Sequence, residues 1–167
     1  MFFNCNLLTS IDFSVFNPTH ISNMQNSFFK CASLKSLDLS ILETEKIINL
    51  NDIFNGFKIL ETMDLSNLKT SKLESMKNMF FRFSSLTSVS LSNFDAKNIQ
   101  SFQILFNGCS SLSSIDLSNF NTQNATNMNF MFYQCNNLKY IDISYFNNTS
   151  LTGNYLIIDN TEITKEL

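Results

Sequence analysis

Apolar residues return along the chain in a fixed cycle. Anchored on Leu8, Leu34, Leu60, Leu86, Leu112 and Leu138, the cycle is 26 residues long and has no insertion. Taking that Leu as position 1, position 4 is Ile11, Leu37, Met63, Val89, Ile115 and Ile141, and position 6 is Phe13, Leu39, Leu65, Leu91, Leu117 and Ile143. Positions 3, 5 and 7 between and around them are polar. This period of two predicts a short strand with one buried face in every copy.

The second half of each copy changes period. Position 16 (Asn23, Asn49, Ser75, Ser101, Asn127) carries residue types that cap helix N-termini. Apolar residues follow at positions 17, 20, 21 and 24, shown cleanly by Met128, Met131, Phe132 and Cys135. Ser27 interrupts position 20, but position 21 is Phe2, Phe28, Phe54, Phe80, Phe106 and Phe132 without exception. The spacing predicts a helix of about two turns per copy. Helices shorter than ~12 residues are marginal alone, so the copies must bury their apolar faces against one another. The expected fold is an α/β solenoid of strand–turn–helix repeats with one short parallel strand per repeat.

On this numbering residues 1–7 are a partial repeat, full repeats begin at 8, 34, 60, 86 and 112, and a last partial repeat begins at 138. The repeat array is expected over 1–146. Residues 147–167, "NNTSLTGNYLIIDNTEITKEL", lose the pattern and read as a degenerate cap or tail, with 155–159 a candidate edge strand. Because the chain opens in mid-repeat, Phe2, Cys5 and Leu8 would lie at an open end, which further repeats or a partner would be expected to cover.

The phrase L-x-x-[ILMV]-D-[LFI]-S-N-F, followed by N-x-[MF]-x-x-[ML]-F-x-x-C, resembles the 26-residue repeat of bacterial surface proteins, the BspA-like leucine-rich repeats of bacteria and of parasitic or free-living protists. The likeness runs from residue 1 to about 146. It implies a leucine-rich-repeat-like scaffold displayed on or secreted from a cell and used for adhesion or host contact, with no catalytic residues to carry over. Two features depart from the pattern: "ILETEKIINLND" replaces the Asn-Phe turn of the second repeat, and Phe57 and Phe83 stand at Cys positions.

Composition narrows the functional classes. Net charge is −3 with no run of Lys or Arg, so nucleic acid is not an expected partner. No apolar run approaches the roughly 20 residues of a membrane-spanning helix, and Met1–Cys5 lack the basic start and apolar stretch of a secretion leader. His20 is the only histidine, and Gly56, Gly108 and Gly153 lie far apart, so neither a Ser-His-Asp set nor a phosphate-cradling loop can be assembled in the usual way. The expectation is a protein without catalytic residues, cofactor or metal.

Three columns could carry binding. Position 5 is Asp12, Asp38, Asp64, Ser90, Asp116 and Asp142, flanked at position 3 by Ser10, Ser36, Thr62, Ser88, Ser114 and Tyr140. This strand face reads as a ligand surface, where cations such as calcium could bridge the carboxylates, or as a set of turn-pinning side chains bonded to nearby Ser groups. Ser90 and the lack of a glycine-rich calcium loop favour pinning. Position 22 (Phe3, Phe29, Asn55, Phe81, Asn107, Tyr133) could leave Phe3, Phe29, Phe81 and Tyr133 as an exposed aromatic edge or half-bury them against the next copy. Position 24 holds Cys5, Cys31, Cys109 and Cys135, which read as buried apolar slots because Phe57 and Phe83 share the column, with disulfides Cys5–Cys31 and Cys109–Cys135 as the alternative. Asn124, Asn147 and Asn148 head glycosylation sequons, relevant only in a secreted eukaryotic chain.

The expected function is a non-enzymatic binding module at the cell surface or outside the cell, whose partner is a protein or glycan on another cell or in the matrix. A cytoplasmic protein-interaction scaffold of a protist and a structural spacer in a longer surface protein are the alternatives.

Overall fold

A computed structural model describes residues 1–15 and 21–147. Phe16, His20, Asn148, Gly153, the candidate edge strand at 155–159 and nearly all of the expected 147–167 cap lie outside them. Among the described residues four strands form: β1 (Thr62–Asp64), β2 (Ser88–Ser90), β3 (Ser114–Asp116) and β4 (Tyr140–Asp142). They make two parallel pairs, β1 with β2 and β3 with β4, in which Met63 faces Val89 and Ile115 faces Ile141. A second ladder of single parallel bridges runs Asn23–Asn49–Ser75–Ser101–Asn127.

The expected strand–turn–helix solenoid is overturned. Among the described residues there is no α-helix; one 3-10 turn, Thr44–Lys46, is the only helical element. Nor does every copy have a strand, since 10–12 and 36–38 form none. The apolar spacing misled for a physical reason. Positions 17 to 24 fold as two successive four-residue turns, with Ser27 N–H donating to the Met24 carbonyl (3.0 Å) and Cys31 N–H to the Phe28 carbonyl (3.0 Å). The third residue of each turn is left-handed, Asn26 at φ 57° and Lys30 at φ 56°, as type II turns require. The same pair recurs at Asp52 and Gly56, Asn78 and Arg82, Ile104 and Gly108, and Phe130 and Gln134. An α-helix cannot hold such residues. Two turns of four residues place apolar groups at i, i+3, i+4 and i+7, the same set that one helical face occupies.

Within the turn ribbon, alternate N–H groups point to the following copy. Phe80 donates to Leu105 (3.0 Å), Arg82 to Asn107 (2.8 Å), Phe106 to Met131 (2.8 Å) and Gly108 to Tyr133 (2.8 Å). The backbone is thus satisfied partly within the turn and partly between copies, which explains how so little regular structure can be buried.

The core is the Phe column. Phe28, Phe54, Phe80, Phe106 and Phe132 are buried, with successive ring centroids 6.3, 5.7, 5.0 and 5.5 Å apart. Beside it the cysteine thiols are free. Three of them donate to a Phe carbonyl of the preceding copy: Cys31 to Phe2 (2.9 Å), Cys109 to Phe80 (3.2 Å) and Cys135 to Phe106 (3.0 Å). Burial pushes the Cys109 thiol well up and that of Cys135 up to about 12, so these sulfurs stay protonated and act as small apolar groups.

Candidate functional site

The side chains of positions 3 and 5 form one outer side. The side chains at position 3 are exposed from Ser10 and Ser36 to Thr62, Ser88, Ser114 and Tyr140. At position 5, Asp12, Asp38, Asp64 and Asp116 are exposed, whereas Ser90 and Asp142 are half-buried. Each carboxylate accepts the backbone N–H two residues on: Ser14 to Asp12, Ser40 to Asp38 (both 2.8 Å), Ser66 to Asp64, Ser118 to Asp116 (both 2.9 Å) and Ser144 to Asp142 (3.0 Å). The side chain therefore closes a local turn at the end of each strand segment. At Asp12, Asp38, Asp64 and Asp116 these bonds favour the charged form. The Ser14 and Ser40 backbone N–H groups, with their hydroxyls second, hold Asp12 and Asp38 below the ordinary carboxylate value. For Asp64 and Asp116 the hydroxyls of Ser66 and Ser118 lead, followed by the N–H groups.

A shallow groove of about 560 Å³ gathers Thr62, Asp64, Ser88, Ser90 and Asp116 with Ser92, Ser118 and Asn119. Ser10, Asp12, Ser36, Asp38, Ser114, Tyr140 and Asp142 stand outside it. Among the described residues, no three His, Cys, Asp or Glu side chains converge as a metal site. Each Asp is spent within its own copy.

The aromatic edge is two patches rather than a stripe. Phe3, 59% exposed, stacks on Phe29 at 5.0 Å. Farther along, Phe81 lies under the Arg82 guanidinium (5.0 Å) and Tyr133 packs edge-on to Phe130 (5.8 Å). Asn55, between the two patches, and Asn107, between Phe81 and Tyr133, turn inward and are buried.

Two features escaped the sequence. The first is a threonine column at position 11: Thr44, Thr70 and Thr122 are buried, and their hydroxyls accept the N–H of Lys69 (2.7 Å), Asp95 (2.8 Å) and Asn147 (2.8 Å) in the next copy. Its signal was present in the repeat columns, where position 11 reads Pro18, Thr44, Thr70, Ala96, Thr122 and Asn148. The second is a groove of about 690 Å³ on the turn-ribbon side that holds Lys58 and Arg82 together. These cations are 24 residues apart in sequence, so no charge run announces them.

The chain matches the family model described as "Mycoplasma protein of unknown function, DUF285" over residues 1–90 and again over 57–166. It belongs to the DUF285 family. No curated protein and no solved structure matches it. The two matches together reach nearly the whole chain, as expected where copies of one unit follow each other. The DUF285 description assigns no activity.

Proposed function

We infer that this DUF285 chain is a non-enzymatic, macromolecule-binding repeat module of the BspA-like surface kind, acting at the cell surface or outside the cell in adhesion or host contact. One observation carries the reading. The buried positions are given over to holding copies together, while the outward side chains of positions 3 and 5 in four of the copies sit on two parallel strand pairs whose partners lie about 4.8 Å apart. Such a surface suits contact with an extended partner better than enclosure of a small substrate. The BspA-like likeness of its repeat supports a place on the surface, and the partner would be a protein or glycan of another cell or of the matrix.

The test has two arms. Antibody to the chain should label intact cells of its source; labelling only after permeabilisation would move the role to an intracellular scaffold. Purified protein should bind immobilised matrix proteins or glycans, and the double variant Ser88→Lys, Ser114→Lys, which crowds the exposed strand face, should bind at least about tenfold more weakly with an unchanged melting temperature. Binding to nothing in a broad array would leave the spacer role in its place.

A further inference from the structure

We propose that the turn-ribbon groove is a binding site for carboxylate-bearing oligosaccharides. The proposal rests on the surface-binding reading above and gives it a ligand class and a place.

The groove crosses four successive copies, from Lys58 through Arg82 and Ser110 to Tyr133, Gln134 and Asn136, and its volume of about 690 Å³ lies within the range of ligand clefts. Three inter-copy steps of about 4.8 Å give it a length on the order of 14 Å. No carboxylate lines it. Among the described residues, ion pairs join Lys69 to Glu45 and Lys97 to Asp95, and neither Lys58 nor Arg82 takes part in one. Two like charges share one cleft in a chain whose net charge is −3. Bringing cations together without a counter-charge is unfavourable, and an anionic ligand removes that cost.

Arg82 is also held in place before any ligand arrives. Its guanidinium lies 5.0 Å from the centre of the Phe81 ring. Its stem rests on Gly108, where an added Cβ would meet Arg82 Cα and Cγ at 3.4 Å, and where φ is +78°. A glycine there lets the arginine lie flat across the next copy. Lys30 repeats the arrangement two copies earlier, with its ammonium 5.2 Å from the centre of the Phe29 ring and Gly56 beneath its stem. A planar guanidinium fixed by stacking loses less entropy on binding and suits a carboxylate bidentately.

The remaining lining decides the ligand. Ser110 offers a hydroxyl, Gln134 and Asn136 offer amides that both donate and accept, and Tyr133 adds one aromatic ring. This set matches sugar hydroxyls with a single apolar face among them. A peptide would need apolar slots for side chains or a free sheet edge. A nucleic acid would need cations along a run of phosphates, and this groove has two.

The closing experiment is titration calorimetry of the whole chain with hyaluronan hexasaccharide and with 3′-sialyllactose, lactose serving as the neutral control. At least one acidic sugar should bind, lactose should not, and affinity should fall as salt rises. The double variant Lys58→Gln, Arg82→Gln removes both charges and the Arg82 stacking on Phe81 at exposed positions, so its melting temperature should fall by no more than a few degrees while affinity drops about tenfold or more. The strand-face variant Ser88→Lys, Ser114→Lys should bind the sugars normally. Undiminished binding in the groove variant, or tighter binding of oligo-dT or of a poly-Glu peptide than of either sugar, would overturn the proposal. So would failure of both acidic sugars to bind at millimolar concentration. If matrix ligands are still captured through the strand face in that case, the groove assignment falls alone; if nothing is captured, the surface-binding reading falls with it.

Discussion

The Phe column at position 21 and the Asp column at position 5 recur at the same spacing, yet they do different work. Each Phe acts between copies: Phe106 is buried between Phe80 (5.0 Å) and Phe132 (5.5 Å), and its loss would leave a hole with rings on both sides. Each Asp acts inside its own copy, bonding a residue two positions on and meeting water on its other side. Periodicity alone does not distinguish a contact that builds the stack from one that finishes a turn. Tolerance does: the Asp column admits Ser90, whereas the Phe column admits nothing else.

The comparison breaks most readily at the Phe column. Phe106→Ala should cost about 3 to 5 kcal/mol in urea denaturation, because the stacked neighbours on either side cannot both collapse into the space. A loss below about 1 kcal/mol would mean that the copies are held by backbone bonds alone and that the column is filler.

Thr70 tests whether a polar column can behave like the Phe column. It is buried, and its hydroxyl accepts the Asp95 N–H at 2.8 Å across the copy boundary. Thr70→Val keeps the shape and strands that N–H, at a cost of about 1 to 3 kcal/mol by the same denaturation assay. Where Ala96 occupies the column, the Asn121 N–H turns to the Asn119 carbonyl instead (3.2 Å). If Thr70→Val proves neutral, the Asp95 N–H has found a similar local partner and the column is dispensable.

Ile104 sharpens the picture in the opposite direction. It is β-branched and sits at φ 60° in a place where other copies use Asn26, Asp52 and Asn78. Ile104→Asn should stabilise the chain by up to about 1 kcal/mol, the relief of left-handed strain outweighing the loss of a half-buried apolar side chain. A lower melting temperature would show that its packing matters more than its backbone.

That left-handed pair also marks the limit of what the sequence made legible. The 26-residue unit, its inward positions and the place of the Phe column follow from apolar spacing, since burial is what spacing records. The helix did not follow, because i, i+3, i+4, i+7 is shared by a helical face and by two type II turns. Residue types at odds with a helix stand at position 19, where Asn26, Asp52 and Asn78 are poor helix formers that accept positive φ, and at Gly56 and Gly108. Lys30, Arg82, Ile104 and Phe130 hid it, as their types give no hint of a left-handed backbone. The basic groove was invisible for another reason: its two cations belong to different repeat columns, one at position 23 and one at position 25, and only the stacking brings them together.

The smallest effect expected is at the Asp column, and pH separates it from the Phe column most cleanly. Asp12, Asp38, Asp64 and Asp116 all titrate below the ordinary value of 3.8 in the folded chain, the serine hydrogen bonds favouring the carboxylate. A carboxyl whose value is depressed by folding stabilises the fold above its unfolded value and loses that contribution as pH falls through the folded one. The melting temperature should therefore be flat between about pH 6 and 8 and decline once pH drops below about 4. Changing Asp12, Asp38, Asp64 and Asp116 to Asn together keeps an acceptor oxygen in each turn and removes the proton linkage, so the acid decline should shrink while the neutral-pH melting temperature moves little. Part of the decline should survive, since Glu45 is also held below its ordinary value, by the hydrogen bond and charge of Lys69. Phe106→Ala should instead shift the whole curve down by a similar amount at every pH. A fourfold Asn variant as unstable at neutral pH as Phe106→Ala would mean that the Asp column, too, holds copies together, and that the two columns differ in chemistry but not in role.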